Sequence, residues 1–319
     1  MQNGVSMYHS LLVPLDGSMF GEHALPLALS IARRAGAALT VLHVHAPPAV
    51  TYAESLPDPD PRLDLHLKER EQAYLDGVIK RLGDISTVSV HSELLEGTTA
   101  DTIRAAVSSR GVDLVVMTTH GRGPLGRLWL GSVADELVRQ LPVPLLIVRP
   151  GEAAPDFGQE PVFKQMLLPL DGSPLAEQMI EPAVALGSLM GAEYTLLRVI
   201  KPVLPLAYQL QGASLSERAE SVLKQIETMH ESLHQEAWDY LERVAGSLRA
   251  RSLQVQTRVM VEQQPAVAIL HEAESSAIDL IALETHGRRG LSRLVLGSVA
   301  DKIVRGASVP VLVHRPVYA

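Results

Sequence analysis

HGRGPLGRLWLGSVADELVRQLPVPLLIV, residues 120–148, returns as HGRRGLSRLVLGSVADKIVRGASVPVLVH at residues 286–314, aligned without a gap. His120-Gly121-Arg122 meets His286-Gly287-Arg288, and Gly131-Ser132-Val133-Ala134-Asp135 meets Gly297-Ser298-Val299-Ala300-Asp301. Each copy is a glycine-bounded loop running into a helical pattern, then a proline and a short apolar run that reads as a buried strand. The chain is therefore a tandem repeat of one α/β unit.

A second matched pair lies upstream. Leu11-Leu12-Val13-Pro14-Leu15-Asp16-Gly17-Ser18 corresponds to Met166-Leu167-Leu168-Pro169-Leu170-Asp171-Gly172-Ser173, at an offset of 155, whereas the His-Gly-Arg segments are offset by 166. Gly36 still matches Gly191 at the shorter offset and Asp113 matches Asp279 at the longer one. The 11 extra residues of the second half thus fall after its second strand, within about 201–222.

The first half has strand patterns at 9–15, 38–45, 86–94, 113–119 and 144–148, with helices near 18–35, 63–82, 98–110 and 131–140. The second half repeats them as strands at 164–170, 192–200, 253–261, 278–284 and 310–314, and helices near 174–190, 217–249, 264–276 and 297–306. Strands alternating with crossovers too long for hairpins imply parallel sheets wound on both faces. Two domains are expected, 1–150 and 163–319, joined by a breaker-rich linker at 151–162.

Composition fits that picture. The 319 residues are 46% hydrophobic and 20% charged, with few aromatics, so Val, Leu, Ile and Ala must build the cores. A net charge of −8 argues against a sequence-independent grip on nucleic acid. There are no cysteines, which excludes thiolate chemistry and Cys-ligated zinc. No leader pattern and no apolar run long enough to span a bilayer is visible, so a cytoplasmic, non-membrane protein is expected.

In doubly wound sheets ligands lie beyond the carboxyl ends of the strands, where the strand order reverses. Asp16 and Asp171 end the first strand of each half; Thr118-Thr119-His120-Gly121 and Glu284-Thr285-His286-Gly287 end the fourth. The aspartates suit hydrogen bonds to a ribose or base, and equally an Asx turn into the next helix. Gly131-Ser132 and Gly297-Ser298 suit a phosphate at a helix start, and equally an N-cap with an acid three residues on. Arg122, Arg127, Arg288 and Arg293 can neutralise phosphate or simply face solvent. No Gly-Lys-Ser/Thr occurs, which excludes a P-loop. His120 and His286 lack a nucleophile and an orienting group at any recognisable spacing, so no catalytic residue is assigned. His43 and His45 share a strand face without a further ligand nearby, so no metal site is assigned either.

With these motifs in place, the chain resembles the universal stress protein (UspA) family in its tandem form. The resemblance rests on the Leu-Asp-Gly-Ser strand end, on Leu42-His43-Val44, and on Thr118-Thr119-His120-Gly121 followed, after nine intervening residues, by Gly131-Ser132. It implies two five-stranded parallel sheets of order 3-2-1-4-5, helices on both faces, and ATP binding, with Mg²⁺ as an accompanying ion. The implied function is stress-response regulation without an established chemical step, or with at most slow ATP hydrolysis. Carried over by position, Pro14, Asp16, Val44, Thr118, Gly121, Arg122, Gly131, Ser132 and Val133 would hold the nucleotide in the first half. Asp171, Val199, Gly287, Arg288, Gly297, Ser298 and Val299 would do so in the second.

The resemblance further implies that the fifth strands of the two halves pair within the chain. A homodimer and an unidentified protein partner are compatible with it. Thr118 and Glu284 stand where the family has its first glycine. A glutamate beside a triphosphate repels it, so the first site is expected to bind ATP more tightly than the second. Segments 46–62 and 201–222 follow the second strands and are expected to cover the sites. Two other classes fit the residues, an adenylate- or phosphate-transferring enzyme and a scaffold with vestigial sites.

Overall fold

The computed structural model describes residues 7–47, 61–119, 130–203, 217–285 and 296–315. The first half runs β1 (Ser10–Leu15), one 3₁₀ turn (Gly21–Ala24), α1 (Leu25–Ala35), β2 (Ala38–His45), α2 (Pro61–Gly83), β3 (Val90–Glu96), α3 (Thr99–Arg110), β4 (Leu114–Thr118), α4 (Ser132–Gln140) and β5 (Leu145–Val148). The second runs β6 (Gln165–Pro169), the single turn α5 (Pro174–Glu177), α6 (Ile180–Met190), β7 (Glu193–Ile200), α7 (Glu217–Arg249), β8 (Val255–Val261), α8 (Pro265–Ser275), β9 (Leu280–Glu284), α9 (Ser298–Gly306) and β10 (Val311–His314).

The strands form one ten-stranded sheet in the order β3-β2-β1-β4-β5-β10-β9-β6-β7-β8. Each half is thus a 3-2-1-4-5 parallel sheet, and the seam between halves is antiparallel, with Leu146 opposite Leu312. Pairing β5 with β10 leaves neither of these apolar strands as an open edge. The inner strands β1, β4, β5, β6, β9 and β10 are largely apolar in both alternating registers because both faces are covered, whereas the outer β3 and β8 carry polar residues. Leu11 and Val13 face the layer of α1, α2, α6 and α7; Leu12 and Leu42 face α3, α4, α8 and α9. Each layer buries one hydrophobic cluster that continues across both halves.

Local chemistry moves several boundaries. The helix expected at 18–35 is split, because Pro26 sits in the first turn of α1 and a separate 3₁₀ turn precedes it. The third strand starts at Val90 rather than 86, since Ile85 and Ser86 donate back to the Leu82 carbonyl and finish α2 in a turn. Helix α7 has 33 residues against 23 in α2, so most of the second half's extra length is helix. The segment read as a linker is laid against α1. Ser30 Oγ donates to the Pro161 carbonyl at 2.7 Å, His23 Nε2 lies 2.8 Å from the Ala153 carbonyl, and Arg81 stacks on the buried Phe157 ring at 4.9 Å.

One pair of substitutions between halves is mutually compensating. Gly187 in α6 stands where α1 has Ala32, and Tyr194 in β7 stands where β2 has Leu39. A Cβ on Gly187 would lie 2.4 Å from Tyr194 Oη and 2.6 Å from Met166 Sδ, both immobilised in the core. Gly187→Ala should therefore cost about 1–3 kcal/mol by overpacking, and Tyr194→Leu in the same chain should recover the part due to the tyrosine, the Met166 contact remaining. Urea denaturation of the two single variants and the double variant measures the coupling; additive losses would refute it.

Candidate functional site

The strand order places the ends of β2, β1 and β4 side by side, and those of β7, β6 and β9 likewise. The switch point, where neighbouring connections leave in opposite directions, therefore lies between β1 and β4 and between β6 and β9. Asp16 and Asp171 stand at it. Asp16 Oδ1 accepts from the Ser18 amide at 3.1 Å and from Ser18 Oγ at 2.7 Å. Asp171 Oδ1 does the same with Ser173, at 2.9 and 2.6 Å. Both are Asx turns, made possible by Gly17 and Gly172 at φ of 82° and 83°, where a side chain is strained. This much of the repeated Asp-Gly-Ser is explained by turn formation.

The start of α4 is fastened to β4. Gly131 N–H donates to the Thr119 carbonyl at 2.9 Å, and in the second half Gly297 N–H donates to Thr285 at 2.9 Å. Gly131 and Gly297 are the N-caps, while Ser132 and Ser298 are the first helical residues, with no side-chain cap in either helix. The N-cap expectation is corrected by one position. A glycine cap supplies no oxygen to the first-turn amides, which leaves the positive end of the helix dipole uncompensated by side-chain capping.

Val44 and Val133 pack on the same cluster, as do Val199 and Val299, so these four candidates lie on the α3/α4/α8/α9 side of the sheet. Alternation puts Pro14 on that side too, since its neighbours Val13 and Leu15 face the other layer. Gly121, Arg122, Gly287 and Arg288, together with Arg127, Arg293, His120 and His286, lie outside the described residues. So do 48–60 and 204–216, the bulk of the two covering segments.

Glu284 departs from expectation. Its neighbour Leu283 faces α8 and α9, so Glu284 faces the opposite layer, as Ala282 does. There His314 Nδ1 approaches Glu284 Oε1 at 2.8 Å, while Oε2 is buried without a hydrogen-bond partner. Burial pushes the Glu284 carboxyl above its ordinary range, and the His314 contact offsets only part of that shift. The carboxylate is on the side of the sheet opposite the start of α9, so the repulsion expected of Glu284 is not aimed at that helix start.

Three groups of contacts near the carboxyl ends of β2 and β7, on the α2 and α7 side of the sheet, were not legible in the sequence. His43 Nδ1 lies 2.8 Å from the Leu15 carbonyl, directly before Asp16. His45 lies between Glu71 and Asp64 of α2. In the second half Arg198, at the position of His43, stacks on Tyr240 at 4.9 Å, and with Gly172, Glu236, Asp239 and Arg243 lines a cleft of about 330 Å³. These partners are separated by 19 to 42 residues or more, beyond any local pattern.

Comparison with known proteins follows the same division of the chain. The universal stress protein family profile matches residues 7–149 and 163–315. A universal stress protein of Mycolicibacterium smegmatis is 28% identical over 317 residues, covering 97% of each chain. One of Mycobacterium tuberculosis is 29% identical over 312 residues, covering 96% of this chain and 97% of its own. The crystal structure of a universal stress protein from Archaeoglobus fulgidus superposes with a TM-score of 0.68 at 18% identity, covering 98% of both chains.

Proposed function

The chain belongs to the universal stress protein family, and on that premise we propose that it is an ATP-binding regulator with one adenine-nucleotide site per half and no required chemical step. The observation that carries this reading is the glycine-capped start of α4, repeated in α9, with first-turn amides free of side-chain caps at the carboxyl end of a parallel sheet. Such amides suit phosphate oxygens. Val44 and Val133 sit on the same face of the sheet, and Asp16 ends the central strand beside them. Asp16 already accepts from Ser18 and has no paired carboxylate at a fixed spacing, which favours recognition over acid–base catalysis. Mg²⁺ would enter with the nucleotide. In this reading the protein works in the cytoplasm, through a protein partner or as a homodimer, and nucleotide occupancy sets its surface.

Calorimetric titration of the intact chain with Mg-ATP should give two sites. A Cβ on Gly131 would meet the Thr119 carbonyl oxygen at 3.0 Å, so Gly131→Val must pull the start of α4 off the end of β4. The variant is expected to lose the first-half site, with affinity there reduced at least about tenfold, while the second-half site is retained. Wild-type stability should rise by about 2.7 kcal/mol at a hundredfold excess of ATP over the dissociation constant. No heat, no stabilisation and no copurifying nucleotide would favour a scaffold with vestigial sites. Sustained hydrolysis abolished by Asp16→Asn would favour an enzyme.

A further inference from the structure

Strand β2 ends in two histidines that face α2, and the second is held on both ring nitrogens. His45 Nδ1 lies 2.7 Å from Glu71 Oε2, and His45 Nε2 lies 2.9 Å from Asp64 Oδ1, with 1% of the side chain exposed. Carboxylates only accept, so both nitrogens must carry a proton for both bonds to exist. That is the imidazolium.

The surrounding groups leave little other compensation. Lys68 of α2 is shared between Asp64 Oδ2 and Glu96 Oε2 of β3, at 2.9 Å each, and Glu96 is in register with His45. Glu71 Oε1 also faces His43 Nε2 at 3.6 Å, and the other His43 nitrogen is used by the Leu15 carbonyl. The groups packed around His45 are thus Asp64, Glu71 and Lys68 from α2, Glu96 from β3, and His43 from its own strand.

We propose that His45 is a proton-controlled latch: protonated, it clamps the first turns of α2 onto the end of β2, and neutral, it releases one of its two carboxylates and lets that end of the helix loosen. Asp64 lies in the first turn of α2 and Glu71 two turns further on, so the clamp spans the end of the helix that meets segment 48–60.

The second half supplies an internal contrast. Ile200 stands at the position of His45 and Ala237 at that of Glu71, so no imidazolium clamp can form. His230 stands at the position of Asp64, and its Nε2 accepts from the Val203 amide, which requires that nitrogen to be unprotonated. The link from α7 to the segment just after β7 is therefore made by a histidine acceptor rather than by an ion-paired ring.

The direction of titration agrees with the geometry. Burial alone pulls His45 down, but the hydrogen bonds that the ring donates to Asp64 and Glu71 outweigh it and hold the ring above the usual histidine value. A histidine raised in the folded state contributes stability that is complete below its unfolded value, about 6.5, and is lost as pH rises through the folded value. The loosening belongs on the alkaline side.

The test is nitrogen-detected NMR titration of His45 in the full chain, paired with hydrogen exchange of segments 62–75 and 223–241 across pH 6–8.5, corrected for intrinsic rates. The His45 midpoint should lie above about 6.5, and exchange in 62–75 should rise on the order of tenfold above that midpoint while 223–241 shows no rise. Glu71→Gln should lower the midpoint, which a merely space-filling histidine would not do, and His45→Gln should abolish the step in 62–75. A His45 midpoint at or below the ordinary value, or flat corrected exchange in wild-type 62–75, overturns the latch even if His45→Gln fails to fold.

Discussion

Leu312→Asp should unfold most of the chain under conditions where the wild type is native. Leu312 is fully buried and lies directly opposite Leu146 in the antiparallel seam between β5 and β10. The substitution removes a buried leucine, worth about 1.5–3 kcal/mol, and puts a carboxylate among apolar side chains, which adds several kcal/mol more. The sum, more than about 5 kcal/mol, is comparable with the whole stability of an ordinary domain. Leu312→Ala isolates the packing component and should cost about 2–5 kcal/mol. Because each core cluster continues across the seam, the halves should melt together, and circular dichroism against urea should show one transition, shifted to lower urea in Leu312→Ala. A Leu312→Ala loss below about 1 kcal/mol, or an unchanged midpoint in Leu312→Asp, would mean that the seam does not hold the halves together.

The parts of this architecture legible in the sequence are those encoded locally or copied. Leu11–Leu15 and its copy at Met166–Leu170 are uninterrupted apolar runs ended by Asp-Gly-Ser, and both become central strands. The duplicated run Pro144–Val148 and Pro310–His314 contains the seam, but that these strands pair came from the family resemblance; periodicity alone leaves the partner open. Strand β3 starts later than its apolar residues suggest, because Ile85 sits in the turn that ends α2 and Val88 in the link before the strand, its amide donating to Ser86 Oγ. The Asp-Gly-Ser repeat had two readings, and the structure realises the Asx turn. His45 with Glu71 and Glu284 with His314 are joined only by the crossovers that bring distant segments together. A single sequence carries no signal for such pairs. The first glycine and arginine of each loop, Gly121, Arg122, Gly287 and Arg288, lie outside the described residues, so of the proposed phosphate site only Gly131, Gly297 and the helix starts behind them are described.

The most informative substitution rewrites the second half in the language of the first. Thr118 and Val148 occupy in β4 and β5 the positions that Glu284 and His314 occupy in β9 and β10. Glu284 has 1% of its side chain exposed, accepts from His314, and leaves Oε2 buried without a partner. Removing one member strands the other: His314→Val should cost about 3–5 kcal/mol, since it leaves an uncompensated buried carboxylate. Replacing both, as Glu284→Thr with His314→Val, restores the apolar-compatible pair of the first half and should be neutral or stabilising by about 1–4 kcal/mol. The coupling, about 3 kcal/mol or more, is read from a double-mutant cycle in urea. Glu284→Gln then separates charge from shape. Burial raises the Glu284 carboxyl, so the folded state holds its proton more tightly than the unfolded chain does. Wild-type stability should therefore fall, relative to Glu284→Gln, as pH rises from the ordinary carboxylate range through the raised value, and the difference should level off at lower pH. A harmless His314→Val, or a double variant more than about 1 kcal/mol less stable than wild type, would show that Glu284 is held by something other than its histidine.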